Sequence, residues 1–251
     1  MPSRTTNATS PFDRRRRLLE AAGWNPHALV AERLGRARRV LDVACGSGDF
    51  LGHALSGGQR VGVDHDPAAI ALARARFPDV EWHVGDAGAL PLDDRRFETV
   101  TVLQALLHLA DPTRVLRSCR SVMAPGAALW ATCNHSTHLT EFWQVLNEIT
   151  RPTRPAPPDG DTAAAPLETQ LERTMRAVFD RVHVEKITST IRLSRPEALR
   201  LLDSYRHAFP CSEASWLATR DGLDARLERT VGNGSWALTV SLAVAIARDH
   251  A

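Results

Sequence analysis

The residues best suited to chemistry lie in residues 40–50, Val-Leu-Asp-Val-Ala-Cys-Gly-Ser-Gly-Asp-Phe. An apolar run of Val40, Leu41 and Val43 carries one acid, Asp42, and then breaks into the small residues Ala44, Gly46, Ser47 and Gly48. Small residues at the end of a buried strand let the backbone come close to a ligand. The following pattern of Phe50, Leu51, Ala54 and Leu55 predicts a helix, so the turn would expose free N–H groups at its start. Strand, glycine turn and helix form the first half of a nucleotide-binding βαβ unit. Taken alone, the same residues fit an ordinary buried strand and turn. The case strengthens at Val61-Gly62-Val63-Asp64, a second short strand ending in an acid 22 residues after Asp42. An offset of roughly 20 residues suits a carboxylate that accepts both hydroxyls of a ribose.

The surrounding pattern supplies the elements that would hold these groups. Residues 12–19 begin a helix with the run Arg14 to Arg17, either a solvated face or a grip for phosphate or carboxylate. Asn25 caps a second helix, Pro26 opens it and Gly35 stops it. Asp66-Pro67 starts a helix ending near Pro78, and residues 80–84 alternate as a third strand should, running into Gly85-Asp86-Ala87. A fourth strand over 97–103 ends at Leu103-Gln104, on the carboxyl edge where open α/β sheets bind ligands. Asp111-Pro112 opens the next helix, and Ala124-Pro125-Gly126-Ala127 turns into a fifth strand over 128–133. Ser136 or Thr137 is placed to cap an amphipathic helix with Leu139, Phe142, Trp143, Leu146 and Ile149 on one face. The proline-rich stretch at about 150–166 is a lid over a substrate or a plain surface loop. Beyond it come a helix over 167–179, a sixth strand over 182–187, a helix from Arg195-Pro196, and a seventh strand over 239–247 after Gly232-Asn233-Gly234.

The chain of 251 residues is long enough to bury one α/β core with small additions. A net charge of +2 and a single tyrosine give no general case for nucleic acid or a membrane surface as partner. All 31 basic residues but Lys186 are arginine, which reads as coding bias in a GC-rich bacterial genome. The four cysteines are scattered without metal-ligand spacing, so no metal site is expected, and they suit a reducing cytoplasm. The first ten residues have no apolar signal core, and no uncharged run reaches the ~18 residues that span a bilayer.

Leu41-Asp42-Val43-Ala44-Cys45-Gly46-Ser47-Gly48-Asp49 closely resembles the first motif of class I S-adenosylmethionine-dependent methyltransferases. Its Ala-Cys-Gly variant is similar to the branch acting on quinone precursors and other small molecules. Dinucleotide dehydrogenases more usually show G-x-G-x-x-G, whereas position 44 is alanine and position 51 leucine. The resemblance covers about residues 36–190 and the last strand. It implies a Rossmann-like, doubly wound α/β fold, with a seven-stranded, mostly parallel sheet, helices on both faces and an antiparallel last strand. Residues 1–35 would form a helical N-terminal cover and residues 36–251 the catalytic domain, with helical insertions at about 195–230. It further implies S-adenosyl-L-methionine as cofactor. Backbone at Ala44, Gly46 and Gly48 would face its methionine part, with Asp42 beneath. Asp64 and His65 would flank the ribose, Asp86 and Ala87 the adenine, and Leu103 and Gln104 the amino group. Two departures are visible: Phe97-Glu98 stands where Phe-Asp is commoner, and the Pro-Gly-Gly turn has lost its last glycine to Ala127.

Three histidines fall near the expected ligand edge and are candidate catalytic bases: His135, His138 and His108. His135 is the strongest of them. His138 starts a helix, where the dipole disfavours protonation, so it could be a base or a packing residue. His108 lies in Leu-His-Leu-Ala-Asp, a pattern similar to one shared by family members with unrelated substrates, which favours a structural role. The expected function is methyl transfer to oxygen, nitrogen or carbon of a small molecule, a specialised metabolite, by a cytoplasmic monomer or homodimer. The alternatives are an RNA or peptide methyltransferase and a non-catalytic cofactor-binding protein.

Overall fold

The computed structural model describes residues 11–55, 57–92, 94–150, 165–209 and 211–249. The stretch at about 150–166 read as lid or loop lies largely outside them. Seven strands form one sheet: β1 (Arg39–Val43), β2 (Gln59–Asp64), β3 (Glu81–Val84), β4 (Phe97–Leu103), β5 (Met123–Asn134), β6 (Arg181–Ser194) and β7 (Ser235–Arg248), in the order β3-β2-β1-β4-β5-β7-β6. The first five run parallel, and β7 is antiparallel to both its neighbours. The strand order reverses between β1 and β4, which opens a crevice beyond their carboxyl ends.

Strands buried on both faces must be apolar on both, and the sequence divides its side chains accordingly. Along β7, Leu238, Val240, Leu242 and Val244 fill one face while Ala243, Ala245 and Ala247 fill the other. That pattern, large on one side and small on the other, is why residues 239–247 also suit a helix. The larger-residue face is covered by α1 (Pro11–Ala21), α2 (Pro26–Leu34), α3 (Pro67–Arg76), α5 (Thr140–Thr150), α7 (Arg195–Ser204) and α8 (Glu213–Val231). The opposite face packs on α4 (Pro112–Ser121) and α6 (Leu167–Arg176).

Several expected elements differ in extent. The helix after the glycine turn is one π-helical turn, Phe50–Ala54, closed by Leu55 N–H on the Phe50 carbonyl at 3.1 Å. Phe77 lies where a side chain at Gly52 would be, and Arg60 donates to the carbonyls of Leu51 and Leu55 at 2.8 and 3.0 Å. Those carbonyls are thereby satisfied without a further turn. The sixth strand runs to Ser194, because all its residues pair with β7 and Ile191 and Leu193 turn inward. Helix α5 starts at Thr140 without the expected caps. Ser136 Oγ donates to Glu168 at 2.6 Å, and Thr137 Oγ1 donates to Ser241 Oγ at 3.0 Å.

Candidate active site

The glycine turn leaves β1 with three residues at positive φ: Ala44 at 58°, Gly46 at 55° and Gly48 at 80°. This coil aims Gly46 N–H at Asp64 Oδ2, 2.8 Å away at the end of β2. Asp64 Oδ1 accepts Asp66 N–H at 2.9 Å, so each oxygen keeps further accepting capacity. His65 is largely exposed, with Nδ1 3.2 Å from the same carboxylate. The two glycines differ in purpose. Space beside Gly46 is open, whereas a Cβ on Gly48 would come within 2.4 Å of the Trp82 ring. Gly62 on β2 has the same neighbour at 2.3 Å, so Trp82 is inlaid beneath the turn by two missing side chains.

Asp42 stands back from this edge, 3% exposed, accepting Thr101 Oγ1–H at 2.6 Å. Burial pushes its carboxyl up to about 7; the Thr101 bond opposes the rise and the charge of Asp64 adds to it. A cavity of about 160 Å³ continues from Ala44 and Asp64 past His65, Asp86 and Ala87 to Leu109, Arg114 and Val115. Asp86 is already engaged there. Its Oδ1 accepts Gly88 N–H at 2.9 Å and its Oδ2 pairs with Arg114 at 3.0 Å. Arg114 on α4 had no signal in the sequence beyond being one arginine among many.

At the crevice between β1 and β4, Leu103 is buried and Gln104 takes φ 55°, its N–H shared between the Thr132 carbonyl and Oγ1 at 3.1 and 3.0 Å. Gln104 Nε2 is buried with no hydrogen-bond partner among the described residues. A buried amide nitrogen left unsatisfied is a donor set for something else. With the open space over Gly46 and the accepting Asp64 carboxylate, it fits the cofactor implied by the first motif: a donor for a carboxylate, room for a chain, and an acceptor for vicinal hydroxyls. Among the described residues, no group of three His, Cys, Asp or Glu is placed to hold a metal ion.

Gln104 also borders two adjoining cavities that share Phe12, Arg15, Asn134 and His138. The smaller, about 280 Å³, runs between α1 and α2 past Trp24 and His27. The larger, about 390 Å³, is closed by His108, His135, Trp143 and Tyr205. The arginine run is therefore not simply a solvated face. Arg16 pairs with Asp13, Glu20 and, at 3.0 Å, with Asp49 of the glycine turn. Asp49 also takes Arg76 at 2.6 Å. Burial alone would raise its carboxyl, but the Arg76 bond and the Arg16 charge hold it below the usual range. Arg15 lies over the Tyr205 ring at 4.2 Å and the Phe12 ring at 5.0 Å. His27, read only as part of a helix face, is held neutral down to about 4 by burial and Arg16.

All three candidate histidines reach the larger cavity, and their hydrogen bonds separate them. His138 is 8% exposed, and its Nδ1 accepts Ser241 N–H at 3.1 Å, which leaves the proton on Nε2. Burial, then the charge of Arg15, pushes its pKa down to about 4. His135 Nδ1 accepts Thr137 N–H at 3.2 Å, and its Nε2 faces Glu168 at 3.4 Å. His108, on a short 3-10 turn after β4, is exposed and makes no ring hydrogen bond with the described residues. Glu168 was not singled out by the sequence, since its partners Ser136 and His135 lie 32 residues or more away.

Sheet order and glycine turn follow the Rossmann-like, doubly wound plan, with Asp64 and Asp86 lining one cavity at its carboxyl edge. Residues 40–126 match the family model described as methyltransferase domain. A probable S-adenosylmethionine-dependent methyltransferase of Mycobacterium tuberculosis is 35% identical over 126 residues, 47% of this chain and 45% of that protein. A ubiquinone biosynthesis O-methyltransferase of Alkalilimnicola ehrlichii is 33% identical over 116 residues, 43% of this chain and 47% of that protein. The chain thus spans less than half the length of these curated relatives. Over 90% of this chain and 97% of the other, the solved structure of a candidate type II methyltransferase from Anaeromyxobacter dehalogenans superposes with a TM-score of 0.61 at 19% identity, a likeness of fold. The resemblance to class I S-adenosylmethionine-dependent methyltransferases holds in sequence and in architecture.

Proposed function

We propose that this chain transfers a methyl group from S-adenosylmethionine to an oxygen, nitrogen or carbon atom of a small molecule. When bound, the cofactor supplies an activated methyl carbon for in-line displacement, so the protein's task is position and exclusion of water. Asp64 would accept the ribose hydroxyls, the Ala44–Gly46 backbone and Gln104 Nε2 would hold the methionine part, and Ala87 and Leu109 would flank the adenine. Asp86 would reach the adenine amino group with its remaining lone pairs, beside Arg114. The observation that carries the reading is Gln104, an orphaned buried donor at the strand-order reversal, with the cofactor edge on one side and a cavity of about 390 Å³ on the other. That volume falls within the roughly 300–1,000 Å³ typical of small-molecule sites. Where the acceptor must lose a proton, His108 is the ring with a lone pair to offer, since His135 and His138 spend theirs on backbone N–H groups. Quinone-related relatives support a small-molecule acceptor.

Titration calorimetry with S-adenosylmethionine and S-adenosylhomocysteine tests the cofactor, with Asp64→Ala alongside. Loss of this hydrogen-bonding group should cost about 1.5–3 kcal/mol, a tenfold to hundredfold weakening. A folded protein that gives no heat with either ligand, with or without candidate acceptors, would sink the proposal. Labelled methyl transfer to a panel of phenols and amines then addresses the acceptor. Product only with RNA or peptide would replace the small molecule, and binding without any product would make this a cofactor-binding protein.

A further inference from the structure

The larger cavity has an uneven charge. Among the described residues its lining includes one guanidinium, Arg15, and no carboxylate. Glu168, behind the wall, is spent on Ser136 N–H and Oγ–H at 3.0 and 2.6 Å and on His135. In the adjoining cavity Glu20 is held by Arg16. Arg15 itself makes no ion pair or hydrogen bond with the described residues; the faces of Tyr205 and Phe12 hold it instead. Arg16, one residue on, has three carboxylates around it. A half-buried guanidinium stacked on aromatic rings keeps its N–H edge free, and that edge suits a planar oxyanion in two parallel hydrogen bonds. Trp143, 4.9 Å from Tyr205 and nearly perpendicular to it, gives the cavity a second aromatic wall. An aromatic enclosure of this kind could otherwise cage an ammonium group. Here Arg15 covers the Tyr205 face, and among the described residues no acid lines the cavity to offset a second positive charge. His138 would not help an anion by protonating, because burial and Arg15 hold it neutral.

We infer that the acceptor is a planar aromatic anion, a ring carrying a carboxylate or phenolate oxygen, that docks that oxygen on Arg15 with its ring in the cavity that Trp143 and Tyr205 wall. This names the acceptor class for the site proposed above and rests on that reading. Arg15 is then a specificity-determining residue, and a basic amine in its ammonium form is excluded by the same charge.

The test uses a matched pair of ring probes, 2-naphthoate and its neutral isostere 2-naphthamide. Each is titrated into the protein with S-adenosylhomocysteine present, for the natural chain, Arg15→Gln, and Arg17→Gln as an exposed control on the same helix. The natural chain should prefer naphthoate by about tenfold or more, as a charge-assisted bidentate contact implies. Arg15→Gln should abolish that preference and Arg17→Gln should keep it. Arg15→Lys, which retains charge without the planar fork, should keep part of it and serves if Arg15→Gln does not fold. Equal affinity for the two probes, a preference that survives in Arg15→Gln, or failure of both probes to bind would overturn the inference. The parallel titration of S-adenosylhomocysteine separates the two readings. Cofactor heat without a naphthoate preference removes the anion site alone. An Arg15-dependent preference without cofactor heat removes the methyltransferase reading and leaves the anion site standing.

Discussion

Asp42 offers the sharpest physical test of the site's construction. Its carboxyl is buried beneath the glycine turn with one donor, Thr101 Oγ1, and the charge of Asp64 nearby. Desolvation by burial dominates and lifts its pKa from 3.8 to about 7. In an unfolded chain the same carboxyl ionises near its ordinary value. A folded pKa above the unfolded one means that Asp42 costs the fold nothing below about pH 4. Its cost then grows as pH rises through the interval up to about 7 and is constant beyond. Linkage puts that cost at about 1.5 kcal/mol at pH 5 and about 4 kcal/mol at pH 8. Asp42→Asn keeps an oxygen for Thr101 and cannot ionise, so the variant should gain about 2.5 kcal/mol on the natural chain between those two pH values.

Urea unfolding of both proteins at pH 5, 6.5 and 8 reads this difference directly. His27 and His138, both held down to about 4, act in the opposite direction. A histidine kept neutral in the fold contributes stability above its unfolded pKa near 6.5 that is lost as pH falls towards 4. That slope is common to both proteins and cancels in the comparison. By melting temperature the gap should widen by about 5–10 °C for a chain of this size. Two stability curves that stay parallel from pH 5 to 8 would refute the assignment of a largely neutral Asp42.

Two other substitutions probe the parts that position the cofactor edge. Gly48→Ala places a Cβ 2.4 Å from the Trp82 ring at φ 80°, so it should destabilise by about 2–3 kcal/mol in a denaturant melt; an unchanged midpoint would mean that Trp82 is free to move. Asp49→Asn removes the carboxylate shared by Arg16 and Arg76, so amides of α1 should exchange faster with those of β1 and β4 unchanged; unaltered exchange in α1 would show that packing around Leu19 and Trp24 holds the cover without it.

What the sequence disclosed follows the range over which each feature is decided. The glycine turn, Asp64 and the alternation of the strands are set by neighbours a few residues apart, and all were legible. The extent of β6 was not, because residues 188–194 become strand only through pairing with β7. Gly48 read as room for a ligand, yet it and Gly62 both make room for Trp82, which belongs to a different strand. Arg15 was indistinguishable from its three neighbours. Only the placement of Tyr205, on the far side of the chain, separates it from Arg16.

The histidines show the same limit most clearly, and one serine accounts for much of it. Ser241 lies in the middle of β7, fully buried, where the strand is inserted between β5 and β6. Its carbonyl accepts His135 N–H at 3.2 Å, its hydroxyl accepts from Thr137 at 3.0 Å, and its N–H donates to His138 Nδ1 at 3.1 Å. The turn after β5 is thereby clamped to the sheet, and with Thr137 N–H on His135 both rings have their Nδ1 lone pair occupied. Proximity to the carboxyl edge pointed to three possible bases, and the strand order decides which imidazole still has a lone pair to give. Among the described residues that singles out His108, which follows β4, a strand not paired with β7.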